Sequence, residues 1–120
     1  MSNSKIHTIR LRFAVGTSVQ DEKKITDLPK QVQTGITFQI SYFVNDLESL
    51  AKCDDDKYIL KNKSIGYDAN GRIRLELIIA SSIEYNDLLE SIDIIKYWEY
   101  PGVISETSNK TYHLIDMEYV

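Results

Sequence analysis

The stretch from residue 82 to residue 99 has the longest helical periodicity in the chain. Ser81 and Glu84 have the spacing of a capping box at its start, and Pro101 ends it because proline disfavours helical geometry at the residue before it. At about 100° per residue, five side chains fall on one core-facing arc. These are Tyr85, Leu88, Leu89, Ile92 and Ile95. We therefore expect one long helix at about 82–99.

The opposite arc of this helix mixes acidic and aromatic side chains. Asp87, Glu90 and Asp93 share it with Tyr97 and with Trp98, the single tryptophan of the chain. Two interpretations stay open. Either the aromatic rings are core residues covered by another element, or they belong to an exposed patch that binds a protein, since Trp and Tyr are frequent interface hot spots.

The other elements follow from period-two alternation and from turn signals. Asn70-Gly71 is a strong hairpin signal because both residue types accept positive φ. We expect strands at 5–15 and 36–44, a short helix from 45 to about 52, a hairpin of 57–67 with 72–80, and a final hairpin of 103–105 with 111–120. Residues 17–35 stay open between a short helix that Pro29 ends and an ordered loop.

This element order predicts an α+β fold in a single domain spanning residues 1–120. The expected architecture is a mainly antiparallel sheet of about five to six strands, with the long helix at about 82–99 packed on one face and one or two short helices besides.

Charge is distributed unevenly along the chain. Residues 1–74 carry 12 basic and 9 acidic side chains, a net charge of +3, whereas residues 75–120 carry 2 and 9, a net charge of −7. An acidic segment attracts basic protein surfaces and repels nucleic-acid phosphates. Alternatively, the two segments meet in the fold and cancel.

Sequence motifs for catalysis, metal binding or membrane insertion are absent. The chain has one cysteine, Cys53, no apolar run near the ~20 residues that span a bilayer, and no apolar signal region after Met1. Asp54, Asp55 and Asp56 lack the alternate spacing and the turn glycine of a calcium loop. We expect a cytoplasmic protein without metal or cofactor.

Two further sets of residues define alternative functions. His7 and His113 are the only imidazoles, and a pocket around either would favour a small enzyme or a ligand-binding domain. Four arginines alternate on the polar faces of two predicted strands, which favours a nucleic-acid-binding module if those strands are neighbours. These are Arg10, Arg12, Arg72 and Arg74. We prefer a solvated face paired with Glu76 and other acids.

The acidic and tyrosine-rich second half favours a non-enzymatic protein-binding inhibitor. The expected partner is a basic toxin domain, such as a nuclease, and not nucleic acid or a membrane; the expected class is an immunity or antitoxin-type protein. The predicted partner-binding residues lie at the end of the long helix and in a second acidic patch. They are Glu90, Asp93, Tyr97, Trp98, Glu99 and Tyr100, with Asp54, Asp55 and Asp56.

Overall fold

The computed structural model describes residues 4–53, 57–93 and 101–120. Its strands are β1 (Lys5–Gly16), β2 (Glu22–Lys23), β3 (Ile59–Tyr67), β4 (Ile73–Ser81), β5 (Val103–Ile104) and β6 (Thr111–Tyr119). Its helices are α1 (Lys30–Cys53) and α2 (Tyr85–Asp93), with a 3-10 turn at Ile25–Asp27. The strands form one antiparallel sheet in the order β3-β4-β1-β6-β5, and β2 pairs with the end of β1. The predicted α+β class and antiparallel sheet are confirmed.

Strand β1 is the centre of the sheet, and its alternation is the one that the sequence predicts. Ile9, Leu11 and Phe13 are buried, whereas Arg10 is exposed on the other face. The strand pairs with β4 along most of its length and with β6 only from Leu11 onward. Branched and aromatic side chains on alternate positions fit a pleated surface that is covered on one side.

Helix α1 covers the apolar face of the sheet. Its buried side chains recur at helical spacing: Val32, Ile36, Ile40, Phe43 and Leu47 are each at most 2% exposed. Phe43 meets Phe13 of β1 edge to face, with the ring centroids 5.5 Å apart. Leu88 and Ile92 of α2 belong to the same apolar core. Both helices therefore pack on one face of the sheet, as predicted for the fold class.

The strand predicted at 36–44 and the separate short helix from 45 are wrong. Both segments lie within α1, which is the longest described helix. The alternation predicts that Phe38 and Tyr42 face inward together with Ile36 and Ile40. In the structure, Phe38 and Tyr42 are 61% and 55% exposed. The apolar residues of this segment fit both the two-residue period of a strand and the 3.6-residue period of a helix. The helix forms because it buries the apolar residues with helical spacing against the sheet. Of the helix expected over 82–99, the structure describes α2, and 94–99 lie outside the described residues.

The segment 17–35 is mostly an ordered connection and not a helix that Pro29 ends. The carbonyl of Pro29 accepts a hydrogen bond from the Gln33 amide at 3.0 Å, so Pro29 directly precedes α1 as its N-cap residue. This position suits proline, because the first amides of a helix have no intrahelical acceptor. Val19, which a helix would have covered, is 73% exposed.

Strand β6 contains a register shift that alternation alone does not reveal. Val15 of β1 pairs with Leu114, and Ala14 pairs with Asp116, which leaves Ile115 as the extra residue of a β-bulge. Leu114 and Met117, an odd number of positions apart, therefore both pack against the core. Strict alternation predicts one shared face for Thr111, His113, Ile115, Met117 and Tyr119, and the bulge makes that prediction wrong.

Candidate protein-binding surface

Helix α2 begins after a turn that Ser81 holds. The Ser81 hydroxyl accepts a hydrogen bond from the Ile83 amide at 3.1 Å and donates one to the Lys57 carbonyl at 2.9 Å. The Glu84 carboxylate accepts a hydrogen bond from Lys5 Nζ at 2.7 Å and does not return to Ser81. The predicted capping box is therefore wrong, because the Glu84 carboxylate binds the ammonium group of Lys5 in β1 and not a backbone amide at the start of the helix. That cation lowers the pKa of Glu84.

Helix α2 turns its apolar stripe inward and its carboxylates outward. Leu88 and Ile92 are fully buried, whereas Asp87 and Glu90 are exposed. Tyr85 has the spacing of the stripe but is 40% exposed. The outcome is an exposed acidic face with a partly exposed aromatic ring at its side, and we name Asp87, Glu90 and Tyr85 the α2 surface.

Asp93 lies at the margin of the α2 surface and is half-buried. Its neighbour is Tyr119 of β6, whose hydroxyl donates a hydrogen bond to the Leu89 carbonyl at 3.1 Å. Burial, and then the charge of Asp93, raises the pKa of the Tyr119 phenol far above its ordinary value. Asp93 is thus tied to the body of the fold, whereas Glu90 projects from it.

Charge pairing separates the acids of the sheet from those of α2. Glu76 binds Arg10 at 2.9 Å, and Glu118 binds both Arg12 at 2.7 Å and Arg72 at 2.8 Å. In the described ranges, Asp87 and Glu90 belong to no ion pair. The expectation that acidic and basic segments cancel is therefore met on the sheet and not on the α2 surface.

Only part of the predicted partner-binding set can be placed. Glu90 and Asp93 both lie on α2, three positions apart. Asp87 shares the exposed face, although the predicted set omits it; the 100° step had already put it on that arc. The remaining predicted residues lie outside the described residues. They are Asp54, Asp55, Asp56, Tyr97, Trp98, Glu99 and Tyr100.

The two histidines do not form a joint site. His7 pairs in register with Ile79, whereas His113 pairs with Gly16. Positions 7 and 16 of β1 are about 30 Å apart at the rise of an extended strand. His7 is 9% exposed, its ring lies 6.0 Å from the Tyr85 ring, and its Nε2 has no hydrogen-bond partner in the described part of the chain. A two-histidine catalytic arrangement is therefore absent.

The arginines line a polar groove on the open face of the sheet. The groove has a volume of about 520 Å³, and its lining includes Arg10, Arg12, Arg74 and Glu76. Arg10 and Arg12 are engaged by carboxylates, and only Arg74 of these three lacks an ion pair among the residues described. These ion pairs match the expectation of a solvated sheet face on which acidic side chains pair with the arginines. Such a face offers phosphates few free guanidinium groups.

Over the described ranges, no three potential metal-ligating side chains gather at one place. Neither helix has the length and apolar character that crossing a bilayer requires, for the residues that the structure covers. The chain was also compared with protein-family models, with curated proteins and with solved structures, and none of them matches it.

Proposed function

We propose that this chain is a non-enzymatic inhibitor of the immunity or antitoxin type, which acts in the cytoplasm and binds a basic toxin domain through the α2 surface. The observation that carries the proposal is the unpaired state of Asp87 and Glu90 beside carboxylates that the fold does neutralise. The chain has bases that could have paired with them, since residues 1–74 hold 12. Acids left unpaired on one helix are available to an external cation.

The chemistry of the α2 surface fits occlusion of a site that binds phosphate. Asp87 and Glu90 would occupy positions that a nuclease uses for substrate phosphates, and their charge would speed the encounter with a basic protein. Tyr85, at 40% exposure, would supply apolar contact area beside them. The predicted continuation through Tyr97 and Trp98 would extend this patch with further aromatic anchors. A nuclease is the proposed class of toxin.

Charge reversal on the α2 surface tests this proposal. We expect the immobilised chain to retain a basic protein from lysate of its host, and the double variant Asp87→Lys/Glu90→Lys to bind that protein at least about tenfold more weakly, a loss of about 1.4 kcal/mol. The matched control is Glu48→Lys/Glu106→Lys, which makes the same charge change at two other exposed acids. It should keep the affinity of the original chain.

A second measurement separates inhibition from mere binding. The retained protein is assayed for nuclease activity while the chain is titrated in, and we expect activity to fall to near zero at one equivalent.

Circular dichroism checks that the double variant is folded, because exchanging Asp87 for a lysine in the first turn of α2 would cost about 0.5–1 kcal/mol through the helix dipole. Retention of no basic protein, or equal binding by the double variant, would count against the proposal.

A further inference from the structure

Strand β3 leaves one edge of the sheet open. It lies outermost in the strand order and pairs with β4 on one side only. Every residue from Lys61 to Tyr67 is exposed. Proteins blunt such edges with bulges and lysines. Here the register shift between Leu60 and Asn62 and the side chain of Lys61 protect the beginning of the strand, and Lys63 is the one charged residue beyond the shift. The second half of the strand is regular.

The backbone groups on this open edge follow from the adjacent hairpin. The Asp68 amide donates to the Arg72 carbonyl at 2.9 Å, so residue 68 points its backbone toward β4. Because the direction alternates along an antiparallel strand, Gly66 and Ser64 do the same. The N–H and C=O groups of Lys63, Ile65 and Tyr67 therefore point away from the sheet, where a further strand would bind. The Lys63 amide donates to Asn62 Oδ1 at 2.9 Å, a local contact that an incoming strand would replace.

The same half of β3 carries apolar side chains that the helices leave open. Ile65 and Tyr67 stand opposite Leu75 and Ile73 on the helix-bearing face, yet they are 36% and 44% exposed. The Tyr58 hydroxyl donates to the Leu47 carbonyl at 2.6 Å, which anchors the end of α1 over the beginning of β3. The far half of the strand is thus open both at its edge and on its apolar face.

We infer that β3 pairs with β3 of a second copy of this chain, antiparallel about a two-fold axis at Ile65. In this register Ile65 opposes its own copy and Lys63 opposes Tyr67, which gives six backbone hydrogen bonds. The Lys63 methylenes cover the Tyr67 ring, and its ammonium group remains in water. The pairing covers both exposed apolar side chains and extends the sheet across two subunits.

The other registers that align the outward backbone groups are poorer. An axis at Lys63 places two ammonium groups opposite each other, which is destabilising. An axis at Ser64 places Tyr67 opposite Lys61, where the register shift of β3 interrupts regular pairing. An axis at Gly66 places Ile65 opposite Tyr67 but gives only four backbone hydrogen bonds, because β3 ends at Tyr67. The dimer does not rest on the inhibitor function. Helix α2 is held to β6 and β1, and the turn before it contacts Lys57 just before the beginning of β3, the end opposite to Ile65 and Tyr67. Both copies therefore keep the α2 surface open.

Site-specific disulfide formation tests the axis. In a Cys53→Ser background, Ile65→Cys would place two Cα atoms about 5.5 Å apart, within the range that a disulfide spans. We expect Ile65→Cys to form a covalent dimer at least ten times faster than Ser64→Cys or Gly66→Cys. Those two positions face each other and not themselves in this register. Equal rates, or fastest cross-linking at Lys63→Cys, would overturn the inference.

Sedimentation equilibrium tests the dimer without a covalent link. The chain of 13.8 kDa should sediment with about twice that mass at micromolar concentration. Ile65→Lys should return it to a monomer, because it places two charges at the axis. Ile59→Lys is the matched control, since Ile59 is also exposed on β3, at 53%, but lies before the register shift. A monomeric original chain, or a dimer that Ile65→Lys leaves intact, would refute the pairing.

Discussion

At the residue scale, one aspartate and one glycine determine the β3–β4 turn. The Asp68 carboxylate accepts hydrogen bonds from the amides of Asn70 and Arg72, each at 2.9 Å, and the Gly71 amide donates to the Asp68 carbonyl at 3.1 Å. Gly71 has φ +77°, whereas Asn70 keeps a negative φ. The turn is therefore a three-residue loop with a left-handed glycine, and of the two residues that accept positive φ only Gly71 adopts it.

Gly71→Ala should destabilise the protein by about 1–3 kcal/mol. A Cβ at this position would lie 2.5 Å from the Lys24 Cβ and 2.9 Å from its Cα, in addition to the unfavourable φ. Gly66→Ala is the control, because a Cβ there meets nothing within 4 Å. It should leave the free energy of unfolding within about 0.5 kcal/mol of the original. Urea unfolding of both variants measures the difference, and equal losses would contradict the steric argument.

At the element scale, α1 shows how one apolar pattern serves two periods. Ile36, Phe38, Ile40 and Tyr42 alternate as the inward residues of a strand would, and alternation alone gives no reason to separate them. The structure buries Ile36 and Ile40 completely and exposes Phe38 and Tyr42. The buried residues with helical spacing continue with Phe43 and Leu47. In a strand ending at 44, Phe43 would face outward and Leu47 would lie beyond the strand. The length of the periodic stretch favours a helix, because the helical spacing continues through all 24 residues of α1, which is longer than a typical strand.

Alanine substitutions at 36 and 38 distinguish the two periods directly. Ile36→Ala should cost about 2–5 kcal/mol, because it leaves a cavity in the core. Phe38→Ala should cost less than about 1 kcal/mol, because its ring is 61% exposed. In a strand both side chains would share the buried face and both substitutions would be severe. Chemical denaturation gives the two values, and comparable losses would speak against the helix.

The hairpins were predictable because neighbouring residues determine their turns. Features that depend on contacts between distant segments were less predictable. Asn70-Gly71 and the apolar alternation were sufficient for β3 and β4, and Asn109, with φ 58°, lies in the turn expected before β6. The capping box failed because Lys5, distant in sequence, takes Glu84. Pairing of the sheet acids depends on strand order, which alternation does not provide. The two carboxylates of the α2 surface were predictable because their exposure follows from the helical step, whereas the same step places Tyr85 on the core-facing arc.

At the scale of the whole molecule, a charge network ties β6 and the β2 region to the β3–β4 hairpin. Arg72 donates to Glu22 through Nε and Nη2, each at 2.9 Å, and to Glu118 through Nη1 at 2.8 Å. Arg12 also donates to Glu118, at 2.7 Å. One guanidinium group thus joins segments that are far apart in the chain, and the bidentate geometry makes the Glu22 pair the better defined one.

The stability contributed by Glu22 should disappear in acid. Hydrogen bonds from Arg72 hold the pKa of Glu22 below its ordinary value of 4.5, so the folded state favours the carboxylate. The contribution is complete above pH ~5 and is lost as the pH falls through the lowered pKa. Glu22→Gln should therefore lower the Tm near neutral pH, and the difference from the original chain should shrink as the pH falls through the lowered pKa of Glu22.

Thermal unfolding from pH ~7 to ~3 checks this expectation. Asp27→Asn is the control, because Asp27 is exposed and belongs to no ion pair in the described segments. Its Tm difference from the original chain should stay nearly constant over the same range. If the Glu22→Gln curve runs parallel to the original down to the lowest pH, the Arg72 contact does not stabilise the fold.

The central position of β1 has a consequence for the order in which the chain assembles. This strand is synthesised first among the strands, yet its neighbours β4 and β6 follow about 65 and about 100 residues later. Closing such long loops makes folding slow compared with a helical bundle of equal size. Until β4 and β6 have been synthesised, β1 lacks its two main strand partners, and its unpaired backbone groups are available for chaperones to bind.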